Sequence, residues 1–169
     1  MKIDVAASGG WRLREPPLPF QKTYATPLSD LPKFVRTILA PFEVTDGAIH
    51  IEQIIFKPNE LIWYMRRLGI VTDEGQLNRA TLQAANKQEA LTLLECVLGQ
   101  WTDFAFLPSP KQFAIYADHD EYTTVFTASV EMLNTLHSDM SREGFKEVDG
   151  WTWTGPHSPG IVEGKDIHV

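Results

Sequence analysis

The hydrophobic period of this chain shifts near Trp101 from mainly helical to mainly strand-like, and no other feature constrains the fold as tightly. Before that point apolar residues recur at helical spacing. Leu31, Phe34, Val35 and Ile38 fall at i, i+3, i+4 and i+7, and Ala90, Leu91, Leu94, Val97 and Leu98 form a wide stripe that must be buried. After it, residues 103–107, 112–117 and 122–127 are short, aromatic and β-branched, the composition of half-buried strands. Helices followed by strands with one late helix point to an α+β fold. The expected architecture is an antiparallel sheet formed mainly by residues 103–154, with one late helix, packed with N-terminal helices from residues 29–100. Residues 1–154 then make a single domain with 1–27 as an extended arm, and 155–169 form a flexible tail.

Local signals set the boundaries. A helix over 29–40 starts at Ser29 or Asp30, carries Pro32 in its first turn and stops at Pro41. Residues 48–56 are ambiguous, since Ile49 and Ile51 alternate but Ile54-Ile55 breaks the period; their β-branched content favours a strand. Helices are expected over 59–68, ended by Gly69, over 76–85, and over 87–100, where Asn86 and Glu89 form a variant capping box. Residues 118–121 connect two strands as a hairpin loop. Ser129 caps a helix whose Val130, Leu133, Leu136 and Met140 share a face, and Gly144 ends it. Asp149-Gly150 signals a second hairpin between 145–148 and 151–154. In the arm, Trp11, Leu13, Leu18 and Phe20 are expected to pack across a surface; a proline-motif ligand at residues 16–19 is the other reading.

The charge is uneven. The chain has 22 acidic and 15 basic residues, a net charge of −7. Residues 1–101 are neutral, whereas residues 102–150 hold nine acids against Lys111, Arg142 and Lys146. A field of one sign bears on partners more than on fold. It disfavours free nucleic acid, which needs Lys and Arg to neutralise phosphate, and anionic membrane surfaces. No run of 18 apolar residues and no signal-peptide core is present, and the single Cys96 cannot form an internal disulfide, so a cytoplasmic protein is expected.

The common catalytic signatures are missing: no G-x-S-x-G elbow, no phosphate loop, no H-E-x-x-H and no Cys-x-x-Cys. Ser8-Gly9-Gly10 runs into Trp11-Arg12 rather than an apolar helix and reads as a turn. Arg66, Arg67 and Arg79 lie in a run resembling a helix-turn-helix, but Glu60, Asp73 and Glu74 cancel their field. Cys96 sits in an apolar stretch that raises a thiol's pKa, and His50 reads as packing. His137 borders the sheet, while His157 and His168 fall in the tail.

Acid, base and ligand groups concentrate at Asp118-His119-Asp120-Glu121. Three readings compete: a metal site with His119 or His137 as nitrogen ligand, a general base at His119, or the solvated tip of a hairpin. The tip reading needs nothing else. Tyr122 and Trp151 add aromatic groups among the carboxylates, the combination that concentrates binding energy at protein interfaces. The expectation is therefore a small acidic binding protein, of the kind an immunity or inhibitor protein represents, that neutralises a basic toxin or enzyme. Its candidate contact residues are Asp118, His119, Asp120, Glu121, Tyr122, Asp139, Glu143, Glu147, Asp149 and Trp151, with no catalytic residue, metal or cofactor. The alternatives are a metal-dependent hydrolase centred on Asp118, His119 and Asp120, and a small-ligand binding module.

Overall fold

The computed structural model describes residues 2–4, 13–69 and 74–155. It shows an α+β fold built on one antiparallel sheet. The strands are β1 (Lys2–Asp4), β2 (Phe20–Ala25), β3 (Asp46–Ile54), β4 (Thr81–Ala84), β5 (Thr102–Ser109), β6 (Phe113–Ala117) and β7 (Tyr122–Thr127). The helices are α1 (Leu31–Leu39), α2 (Asn59–Arg67), α3 (Glu74–Leu77), α4 (Lys87–Gly99) and α5 (Val130–Arg142). The sheet order is β1-β4-β3-β5-β6-β7-β2, with every neighbouring pair antiparallel. Three strands come from the aromatic segment after Trp101, and four from the first 84 residues.

Alternation along the central strands gives the sheet two buried faces. Phe104, Phe106, Phe113, Ile115 and Val125 point to the larger core, where α1, α4 and α5 supply Phe34, Ile38, Leu94, Val97, Leu136 and Met140. Ala105, Ala114, Tyr116 and Phe126 point the other way. Among the described residues, no helix packs on that second face. It is covered by Leu13 and Leu18 from the arm and by Trp153, whose ring centroid lies 4.8 Å from Tyr116 and 5.6 Å from Phe126. Glu52, in the bulge of β3, is buried and accepts the backbone N–H of Leu13, which ties the arm to the sheet.

Two local expectations are corrected. Residues 76–85 do not form a helix. The four-residue α3 stops, Arg79 adopts a left-handed φ of 67°, and β4 pairs with both β1 and β3. Leu82 and Ala84 alternate into the core, so the edge of β3 outweighed the local helical propensity of an alanine-rich stretch. Residues 59–85 are accordingly no helix-turn-helix, and Arg67 stacks over Trp63 at 4.8 Å.

The Asp149-Gly150 turn exists, with Gly150 at φ 71°, but it joins no hairpin. The chain before it lies along the open edge of β2: the Ala25 N–H donates to the Lys146 carbonyl, the Val148 N–H donates to the Thr23 carbonyl, and Tyr24 bridges Glu147. The chain after it crosses to the second face. There Gln21 takes the place of a strand, donating from Nε2 to the Trp153 carbonyl at 3.1 Å and accepting from the Trp153 N–H at 3.0 Å. An edge strand presents unpaired backbone groups, and these contacts cover the edge of β2.

Candidate functional site

The antiparallel order brings the end of β3, the start of β5, the β6–β7 loop and the start of β7 to one end of the sheet. Asp103 lies there on β5, one step before the Phe104–Ala117 pair, and so stands beside the loop of residues 118–121. One oxygen of Asp103 accepts both the backbone N–H of His119 and its ring Nδ1, each at 2.9 Å. Asp118 accepts the Asp120 N–H at 3.0 Å, a local turn that aspartate favours. The carbonyl of Glu121, itself at a left-handed φ of 69°, accepts the Thr26 N–H at 2.8 Å. The loop is therefore tied to the rest of the fold at His119 and Glu121 and closed on itself between Asp118 and Asp120.

These contacts set the electrostatics. Burial pushes the Asp118 carboxyl up to about 6, with the charges of Asp120 and Asp103 adding to the effect. The hydrogen bond to Asp103 pulls the His119 imidazole up from its ordinary value. The Tyr116 phenol is raised by burial and then by Glu52, Asp118 and Asp103. With Nδ1 committed to Asp103, the other ring nitrogen of His119 stands 3.9 Å from Asp120.

Beside the loop lies an open cleft of about 380 Å³, lined by Phe56, Trp101, His119 and Glu121. Phe56 is 55% exposed, and Trp101 has a left-handed φ of 52°. Sequence reasoning selected His119 and Glu121 but not Phe56, Trp101 or Asp103 for the site. The break of period at Trp101 was the one visible signal. Nothing local placed residue 56 near residue 119, because that proximity depends on the register of three strands.

The structure divides the expected contact residues into groups. Asp118, His119, Asp120, Glu121 and Tyr122 sit together at the sheet end, and Trp151 joins them with its ring centroid 4.7 Å from Tyr122. Asp149 is exposed two residues earlier. Asp139, Glu143 and Glu147 are instead engaged in bracing helices and edge strand. Asp139 pairs with Arg142 at 2.8 Å, Glu143 with Lys33 at 3.0 Å, and Glu147 with Lys22, with His137 Nδ1 at 3.2 Å.

Among the described residues, no group of three His, Cys, Asp or Glu side chains is placed to hold a metal ion. Cys96 is half-buried, and burial pushes its thiol up to about 11, the neutral and unreactive form. His50 lies half-buried on β3, with Nδ1 2.9 Å from Thr81 Oγ1 on β4. His157 and His168 lie outside the described residues. No helix among them is long and apolar enough to cross a membrane. In comparisons with protein-family models, curated proteins and solved structures, nothing matches this chain.

Proposed function

We propose that this protein is a binding protein whose acidic sheet end engages a basic protein partner. One observation carries the reading: Tyr122, which directly follows the exposed Asp120 and Glu121 in the chain, pairs its ring with Trp151, two residues from exposed Asp149, and none of the three acids is ion-paired with a lysine or arginine among the described residues. Aromatic anchors within a charged rim give slow release, and an uncompensated acidic field gives fast encounter. Asp139, Glu143 and Glu147 contribute less to such a field because Arg142, Lys33 and Lys22 already neutralise them. The bracing of the loop supports the same reading, since a pre-ordered surface avoids much of the ordering cost of binding. An immunity or inhibitor protein that covers a basic enzyme such as a nuclease is the specific form we favour.

The test is capture from native lysate with the wild-type chain and with the double charge reversal Asp120→Lys/Glu121→Lys, followed by association rates for the captured partner across ionic strength. The expected result is a partner lost on charge reversal, with an on-rate that falls steeply as salt rises. Salt-insensitive association, or equal capture by the reversed variant, overturns the proposal.

A further inference from the structure

The structure assigns the cleft between Phe56, Trp101, His119 and Glu121 a ligand of its own: we infer that it receives one arginine side chain presented by the basic partner. The inference rests on the reading of the acidic sheet end and adds the chemistry of recognition to it. At about 380 Å³, the cleft has room for one long side chain. Phe56 and Trp101 supply aromatic walls, and Glu121 supplies a carboxylate not ion-paired with a lysine or arginine among the described residues. Asp103 and Asp120 stand 2.9 and 3.9 Å from the imidazole of His119, Asp118 precedes it in the chain, and Glu121 lines the cleft with it, so the local field attracts a cation and repels an anion. A purely apolar ligand would strip water from Glu121 and return no hydrogen bond. Aromatic rings beside a carboxylate are the pattern that holds organic cations. Arginine fits better than lysine, because its planar guanidinium stacks on rings and meets a carboxylate with two parallel hydrogen bonds, whereas an ammonium is a strongly hydrated point charge.

The experiment titrates the full chain with two capped tripeptides, acetyl-Gly-Arg-Gly-amide and acetyl-Gly-Lys-Gly-amide, and follows backbone amide resonances. The arginine peptide should move the signals of Trp101, His119 and Glu121 and bind about three- to tenfold more tightly than the lysine peptide. Phe56→Ala and Glu121→Gln should each weaken it by a similar factor. Phe56→Leu, which keeps apolar bulk and loses the ring, should weaken it as well. Glu131→Gln, an equal loss of charge at an exposed position on α5, should leave it unchanged. Absence of binding, equal affinity for the two peptides, indifference to both Phe56 variants, or equal weakening by Glu131→Gln would each overturn the arginine receptor. If any of those results occurs while charge reversal at Asp120 and Glu121 still abolishes partner capture, the acidic surface stands and the arginine receptor alone falls.

Discussion

Asp118 is a residue whose own chemistry departs clearly from its ordinary state. Its carboxyl titrates near 6 in the folded chain instead of 3.8, chiefly because burial disfavours the charge. An acid with a raised folded pKa loses its proton first in the unfolded chain. Stability therefore falls as pH rises from about 4 to about 6, and the full cost persists above that. A shift of this size corresponds to at most about 3 kcal/mol, and solvent around a half-buried side chain reduces it to about 1–2 kcal/mol. Asp118→Asn keeps the oxygen that accepts the Asp120 N–H and removes the charge. The substitution should raise the stability measured by urea unfolding at pH 7.5 by about 1–2 kcal/mol and leave it nearly unchanged at pH 4. His119 acts in the same pH sense by the opposite route. Its folded pKa is raised, so its stabilisation is complete below about 6.5 and is lost as the pH climbs through the folded value. The run of residues 118–121 was legible in the sequence as a place where charge gathers. Its internal order was not, because the group that orders it, Asp103, lies 15 residues before the loop and meets it only through the β5–β6 pairing.

At the scale of the element, helix ends and strand faces follow local rules, and pairing partners do not. Asn86 and Ser129 cap α4 and α5 by accepting the N–H of Glu89 and Met132, as their positions before apolar stripes imply. Glu89 completes a variant capping box by accepting the N–H of Ala85, one residue before the cap. In β3, Gly47 is required by a partner strand instead of by its own conformation. A Cβ there would sit 2.5 Å from Cε2 and 2.8 Å from Cζ of the buried Phe106 ring on β5, and 3.2 Å from the Pro108 backbone. Gly47→Ala should destabilise the protein by about 1–3 kcal/mol, because a ring packed in the main core must move while the neighbouring backbone cannot. Thermal unfolding reads this directly, and a loss below about 0.5 kcal/mol would show that Phe106 has room to turn. The same dependence on partners explains residues 81–84. Their sequence is compatible with a helix, and only the unpaired edge of β3 made the extended form the better one.

Across the whole molecule, the second face of the sheet is closed by segments more than 100 residues apart. Leu13 arrives from the arm and Trp153 from beyond α5, and both rest on Tyr116, Phe126 and their neighbours. Trp153 is 4% exposed and is held by Gln21 at both backbone groups. Trp153→Ala removes most of that cover, and the expected cost is about 3–5 kcal/mol, in the range of a large aromatic deleted from a core. Binding of a hydrophobic dye should rise in parallel as Tyr116 and Phe126 gain access to water. An unchanged unfolding midpoint would mean that Leu13 and Leu18 cover the face alone.

The sequence by itself determined the α+β class, the extents of α1, α2, α4 and α5, the central strands and the acidic surplus after Trp101. Each of these depends on the spacing of apolar and charged residues within about ten positions, where period and capping act. Tertiary structure alone decided that 81–84 is a strand, that the Asp149-Gly150 turn wraps an edge instead of closing a hairpin, and that Phe56 and Trp101 share a cleft with His119 and Glu121. The physical reason is common to all three. Unpaired backbone at a sheet edge and uncovered apolar surface are satisfied by whichever segment the topology delivers, and that segment lies far away in the chain.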